Sequence, residues 1–188
     1  MERSDPTAFA PPTMIRVLIA AIDRLCLFGA WIGAVATGLL AVMLIAEVAA
    51  TSLFSFSQFY AVEYSAYFLG AGLVCGLGWT LSRGGHIRVG VVYERFSGRA
   101  LRWLDAGCTL AALPVSIFIS LAMVRFAWDS VTRGSKSFYP SETPLLYPQA
   151  VIAFGCCLLT LALVARLLRV LARLPTEDGD GPSLGGVH

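Results

Sequence analysis

Four stretches of this chain contain no charged residue: Leu25 to Ala46, Tyr64 to Ser82, Ala106 to Val124 and Thr143 to Ala165. The hydrocarbon core of a bilayer takes about 20 apolar residues of helix, so each stretch predicts one membrane crossing. No alternation of apolar and polar positions at the strand period competes with that reading. The second stretch is the most clearly bounded. Glu63 stands at its mouth, the next charge is Arg83, and Gly84 and Gly85 follow at once. A cation suits a helix C-terminus, and either glycine can take the left-handed backbone that ends one.

Shorter patterns flank these runs. Between Met14 and Asp23, Ile15, Leu18, Ile19 and Ile22 recur at helical spacing, with Arg16 and Asp23 off that side. This predicts an amphipathic lead-in lying in the membrane interface. Residues 86–105 carry Arg88, Arg95, Arg99 and Arg102 among Ile87, Val91, Val92, Phe96, Leu101 and Trp103. They read either as a basic amphipathic segment among anionic headgroups or as a solvated basic loop. Glu47 closes the first span. The stretch 48–62 then holds Phe54, Phe56, Phe59 and Tyr60 among Ser and Thr, which fits an interfacial turn. Residues 1–13 and 175–188 are expected to be disordered tails, with the membrane domain at 14–174. The first run is too long for a cleaved signal sequence and is expected to be a retained anchor.

The expected architecture is therefore an all-α membrane protein, with four transmembrane helices and interfacial amphipathic helices. Composition agrees: 14% of residues are charged, against about a quarter in a soluble domain. The net charge of +2 says nothing of nucleic acid, because the arginines flank helices. Eleven Lys and Arg fall on one face: Arg3, Arg16, Arg24, Arg83, Arg88, Arg95, Arg99, Arg102, Arg166, Arg169 and Arg173. The other face has Arg125, Arg133 and Lys136. The positive-inside rule then puts both termini in the cytoplasm, with loops 48–62 and 125–142 outside.

Within the runs, small residues recur every fourth position: Gly29, Gly33 and Thr37 in the first, Gly72 and Gly76 in the second beside Gly70 and Gly78. That spacing permits close helix contact, although small residues are also common in membrane helices generally. Pro114 frees the carbonyl of Leu110 in the third run and can kink it. The five cysteines all lie in apolar runs and read as small packing residues.

Little reactive chemistry is on offer. A bis-histidine haem needs histidines deep in the helices, and the chain has only His86 in a loop and His188 at its end. No base stands beside a Ser or Cys inside a span, so neither an enzyme nor a cofactor is expected. Transport pathways carry ionisable groups at mid-depth, and these runs have none. Sodium can be held by broken helices, but that needs paired Gly or Pro interruptions in two halves, and only Pro114 stands out. Glu47 and Glu63 are either helix-end acids in the headgroup layer or polar contacts, to a partner subunit or within the bundle. His86 and Arg88 are either solvated or specific contacts. The chain reads as a scaffold for a larger machine. A small self-sufficient ion-coupled four-helix transporter is the alternative.

Four segments carry a family likeness: Tyr60-Ala-Val-Glu63, Phe68-Leu-Gly70-Ala71, Arg83-Gly-Gly-His-Ile-Arg-Val89 and the corner from Pro144 to Pro148. With them the chain resembles, over Leu25 to Leu171, the small membrane subunit (DctQ-like, Q-type) of tripartite ATP-independent periplasmic (TRAP) transporters. The Gly-Gly-His-Ile-x-Val segment after the second span is the most specific piece. Val62 departs from the family's paired acids, Thr51 from a common arginine and Gly90 from a common aspartate. The resemblance implies a bacterial inner-membrane subunit that pairs with a large multi-span permease subunit. That partner would carry substrate and sodium in an elevator-like movement, and a periplasmic binding protein would deliver an organic acid. The small subunit would enlarge and brace the stationary scaffold among membrane lipids. Candidate partner or scaffold contacts are Glu47, Glu63, Gly70, Gly72, Gly76, Gly84, Gly85, His86 and Arg88.

Overall fold

A computed structural model describes residues 13–55, 58–84 and 99–172. Among them four helices follow in chain order: α1 (Thr13–Phe54), α2 (Ala61–Ser82), α3 (Arg99–Arg133) and α4 (Leu146–Leu171). Each is long and apolar enough to cross a membrane.

The helices outrun the charge-free stretches that announce them. At 1.5 Å per residue α1 is about 63 Å long and α3 about 52 Å, against a hydrocarbon core of about 30 Å. A charge ends a hydrophobic run, but a helix ends only where the backbone leaves helical conformation. That happens at Ser55 (φ 49°), Gly84 (φ 67°) and Gly134 (φ 60°). Gly84 closes α2 by donating its N–H to the Leu81 carbonyl at 3.2 Å.

Three expectations are corrected accordingly. The lead-in at 14–23 is not a separate interfacial helix; it is the first part of α1. Its apolar side was read correctly, but Ile19 and Ile22 pack on Leu81, Ala162, Leu163 and Ala165 and not on lipid headgroups. Of the turn expected at 48–62, residues 48–54 belong to α1, which continues past Glu47 to Phe54, and residues 61–62 belong to α2. The loop expected at 125–142 becomes 134–145, because α3 continues to Arg133. Helix α4 starts at Leu146, three residues after the fourth charge-free stretch begins. Residues 85–98 and both tails lie outside the described residues, and with them Gly85, His86 and Arg88.

Helix α4 is the hub. It packs against the other three, whereas α3 packs chiefly on α4. Helices α1, α2 and α4 meet along one seam, with α2 parallel to α4 and α1 antiparallel to both. Leu158 of α4, fully buried, lies where all three converge. Its Cδ1 occupies the space a side chain at Gly29 would need: a Cβ there would stand 2.2 Å away. The thiols of Cys26 and Cys75 donate to the carbonyls of Leu158 (3.8 Å) and Val151 (3.7 Å). These cysteines act as small packing residues with a weak donor.

The α3–α4 contact has another character. Thr109, Ser116, Ser120, Ala127 and Ser130 are buried on α3 among the described residues. Their spacing fits alternating steps of three and four, as in a coiled-coil seam. The hydroxyls of Ser116 and Ser120 lie 2.7 and 2.9 Å from Thr160 Oγ1 of α4. Leu110, Phe118 and Trp128 are exposed on the rest of α3. Lipid, which is as apolar as those side chains, is the solvent such a surface suits.

One end of the bundle is tied by charge. Arg166 of α4 reaches Asp105 of α3 at 2.6 Å, and Arg169 of α4 pairs with Asp23 of α1. At i and i+3 the two arginines stand about 60° apart around α4, so each faces a different neighbour.

Candidate partner interface

The opposite end of the bundle is organised by Glu63. It lies in the first turn of α2, where the helix dipole favours an acid, yet it is only 2% exposed. Tyr67, one turn along, donates its hydroxyl to Oε1 at 2.7 Å. Ser141 donates to Oε2. Among the described residues no cation stands within ion-pair reach of it. Hydroxyl groups thus replace the water that the carboxylate gives up, as burial of such a group requires.

The loop before α4 is shaped to deliver those hydroxyls. The Ser137 N–H bonds the Thr143 carbonyl at 2.9 Å, and the Leu145 N–H bonds the Ser135 carbonyl at 3.1 Å. Lys136 and Pro144 form an antiparallel bridge between these bonds. Thr143 Oγ1 donates to Ser141 Oγ at 3.1 Å and stands 3.1 Å from the Tyr64 hydroxyl, which joins the loop to α2 a second time. At the exposed tip Lys136 Nζ meets Glu142 Oε2 at 2.7 Å. That hydrogen bond, with the charge behind it, holds the Glu142 carboxyl below the usual range.

Glu47 is placed differently. Both its carboxylate oxygens lie 3.2 Å from the Gln58 backbone nitrogen and accept its N–H, which fastens α1 to the turn that enters α2. Thr51 donates to the Glu47 carbonyl at 2.8 Å. The structure therefore sets both acids in contacts within the chain, one at each connection on this end.

The glycines of α2 divide by direction. A Cβ at Gly72 would meet Thr37 Oγ1 of α1 at 2.5 Å, whereas one at Gly70 would touch Ile152 of α4 at 3.4 Å. A Cβ at Gly76 would meet nothing within 4 Å. Gly72 and Gly76 share a spacing, but only Gly72 makes room for a neighbour.

Apolar grooves open beside this polar cap. The larger, about 860 Å³, lies between α1 and the start of α4 and is floored by α2; Trp31, Val35, Phe68, Ala71, Tyr147 and Val151 are among its walls. A smaller one of about 400 Å³ is walled by Met43, Phe59, Tyr60, Tyr64 and Phe68. Phe59, Tyr60, Tyr64 and Tyr67 stack edge to face in succession, with ring centroids 5.4, 6.3 and 5.9 Å apart. Such amphipathic rings are favoured at the headgroup level.

Several residues that organise the bundle were not singled out from sequence. Ser137 and Ser141 sit in a loop whose hydroxyls look ordinary. Asp23, Asp105, Arg166 and Arg169 read as flanking charges. The available signal was the i, i+3 arginine pair at one end of α4, matched by an acid at the same end of α1 and of α3.

A family model described as the DctQ component of tripartite ATP-independent periplasmic transporters matches residues 40–173. Comparison with curated proteins and with solved structures gave no match. The matched range takes in α2, α3, α4, the Glu63 cap and the last part of α1, and on it the chain belongs to the DctQ family, the membrane component of tripartite ATP-independent periplasmic transporters.

Proposed function

We propose that this subunit braces the large permease subunit of a TRAP secondary transporter and does not itself conduct substrate. It is a transporter component and not an enzyme. The observation that supports the bracing role is where its polar side chains go. Ser116, Ser120 and Thr160 join α3 to α4, Arg166 and Arg169 join α4 to its neighbours, and Glu47 and Glu63 fasten connecting turns. No Asp, Glu, Lys, Arg or His lies within the four charge-free runs. A solute path through the bilayer would call for such groups at mid-depth.

In this reading the Arg166 end faces the cytoplasm of a bacterial inner membrane, as the excess of Lys and Arg there favours. The Glu63 cap and loop 134–145 then face the periplasm, where a binding protein delivers an organic acid. Sodium coupling and substrate passage belong to the large subunit.

The test is reconstitution. Liposomes holding the chain alone should show no uptake. Addition of the large subunit and the binding protein should give sodium-driven uptake, and the two membrane subunits should purify together. Gradient-driven uptake by the chain alone, lost in Glu63→Gln, would overturn the proposal and favour a self-sufficient ion-coupled transporter.

A further inference from the structure

We infer that the side of α3 turned away from α4 is the docking face for another membrane-spanning chain, one that brings a carboxylate to Arg125 in the middle of the bilayer. The depth follows from helix register. Ser120 of α3 lies 2.9 Å from Thr160 of α4, and the Ser135 carbonyl accepts the Leu145 N–H at 3.1 Å. The two helices are antiparallel. Five residues on from Ser120, and equally ten back from Ser135, Arg125 therefore comes level with Gly155. Gly155 packs on Val74 and Cys75 of α2. It lies ten residues from Ala165 and twelve from Thr143, the ends of the charge-free stretch in α4, and Val74 is as central between Tyr64 and Ser82. Arg125, which the charge pattern assigned to an outer loop, thus sits about 15 Å inside the nearer edge of the apolar belt. A bundle tilt of about 40°, the top of the usual range, would move that edge by about 8 Å across a helix separation of about 10 Å. Arg125 would still lie within the belt.

Its direction excludes the bundle as its partner. Ser116 meets Thr160 of α4, and the nine residues from Ser116 to Arg125 make two and a half turns, so Arg125 points away from α4. It is exposed, and among the described residues it has no ion pair or hydrogen bond. Lipid suits Phe118, Leu121 and Trp128 on that side, but a guanidinium at this depth calls for protein or water and for an opposite charge. Helical side chains lean toward the helix N-terminus, here the Arg166 end, and the headgroups there lie about ten residues of α3 away, beyond the reach of one side chain. A second copy of this chain does not supply the anion. Asp129 is the one acid at hydrocarbon depth among the described residues, and it holds its own Arg133 at 3.8 Å. The partner is therefore a different chain with an acidic residue at mid-depth. Leu121 and Trp128, one turn to either side of Arg125, are exposed and would close apolar contact around the pair; Trp and Arg are the residues that most often anchor interfaces. Because Arg125 faces outward, it lines no path within this chain. The identification of the partner as the large permease subunit rests on the bracing role proposed above.

The test uses the two membrane subunits expressed together, with this chain tagged. Arg125→Leu should weaken its hold on the large subunit about thirtyfold, the low end for truncating one partner of a buried charge pair. The same variant alone in micelles should unfold no more readily than the wild type, because Arg125 holds nothing within the chain. A photo-cross-linking residue, p-benzoylphenylalanine, at Leu121 or Trp128 should capture a segment of the large subunit that contains Asp or Glu. Full retention of the large subunit by Arg125→Leu, with cross-links to lipid alone, would overturn the inference and leave the bracing role standing. A captured segment without an acidic residue, or cross-links between two copies of this chain, would also overturn it. Failure of the wild-type chain to retain the large subunit at all would instead refute the bracing role, and this partner with it.

Discussion

Alanine at Gly155 should loosen the bundle, and alanine at Gly76 should not. A Cβ at Gly155 would stand 2.8 Å from the backbone carbon of Val74 and 2.9 Å from the Cys75 nitrogen. Carbon atoms pack best at about 3.5–4.0 Å, so α2 and α4 would have to part by about 0.7 Å. Two of the atoms in the way are backbone, which no rotamer change relieves, and the third is Val74 Cγ1, also 2.8 Å away. The parting would also stretch the Cys75 thiol's 3.7 Å contact with the Val151 carbonyl. Overpacking of this kind costs about 1–3 kcal/mol. Against it stands the gain of about 1 kcal/mol when Gly becomes Ala inside a helix. Gly76 is also helical, and its Cβ would meet nothing, so it receives the gain without the cost. The propensity gain is common to both variants and cancels in their difference, which leaves the overpacking cost alone. Unfolding in mixed micelles, followed by far-ultraviolet circular dichroism over a denaturing-detergent titration, measures that difference. Gly155→Ala should be less stable than Gly76→Ala by about 1–3 kcal/mol. Agreement of the two within about 0.5 kcal/mol, the spread of neutral surface changes, would refute the close approach of α2 to α4.

Three further outcomes follow from the polar contacts. Arg169→Leu deprives Asp23 of its partner at a largely buried site and should cost about 3 kcal/mol, the low end for a broken buried pair because Asp23 keeps some exposure. Adding Asp23→Leu should restore most of that loss, and a double mutant no better than the single one would argue against the pair. Glu63→Ala leaves the Tyr67 and Ser141 hydroxyls without their acceptor, at about 1–3 kcal/mol for each buried donor stranded. Faster hydrogen exchange at the Ser137 and Leu145 amides is the expected sign, and unchanged protection would mean that Glu63 does not hold the loop. In Lys136→Ala the Glu142 carboxyl should titrate at higher pH than in the wild type, as read from its carboxyl carbon by NMR, because Lys136 is what holds it low. A depressed carboxyl adds stability that is present above its unfolded pKa and lost as pH falls through the folded value. The pair is exposed, so overall stability should barely change, and an unmoved Glu142 titration would show that the contact does not persist in solution.

The number, order and apolar character of the helices were legible, because lipid tolerates few charges and the four gaps in charge mark the crossings. Both ends of α2 were legible for the same reason, with Glu63 at one and Gly84 at the other. The lengths of α1 and α3 were not. Asp23, Arg24 and Glu47 interrupt hydrophobicity without interrupting the backbone ladder, so α1 runs through all three. Lateral neighbours were legible only where sterics left a trace. Gly29, Gly33 and Thr37 do line a close contact, whereas Gly76 shares the spacing without the contact. A periodic pattern tells which side of a helix is apolar but not what covers it. The apolar side of residues 15–22 therefore suggested a lipid surface where α2 and α4 in fact lie. Glu63 drew notice as an acid at the head of an uncharged run. Its partner Ser141 is 78 positions away, and nothing local to either residue announces the pairing.

A brace works only if its helices resist sliding along one another, and the three-helix seam has that property. Moving α1 by one turn, about 5.4 Å, would put Thr37 where Gly33 now sits. A Cβ at Gly33 already reaches 3.0 Å from the Gly72 carbonyl oxygen, so a threonine there collides with backbone. The same shift would pull Asp23 from Arg169 at one end and Glu47 from Gln58 at the other. Steric contact in the middle and polar contact at both ends therefore fix one register. Helix α3 is held by a different logic. Its buried side is small throughout, and Thr109 and Ser116 stand seven residues apart, as do Ser120 and Ala127. A slide of one heptad would bring like against like with no steric penalty. What resists it is polar: Ser116 and Ser120 on Thr160, and Asp105 on Arg166. The rigid part of this subunit is thus α1, α2 and α4, and α3 is the element whose position depends on hydrogen bonds and charge.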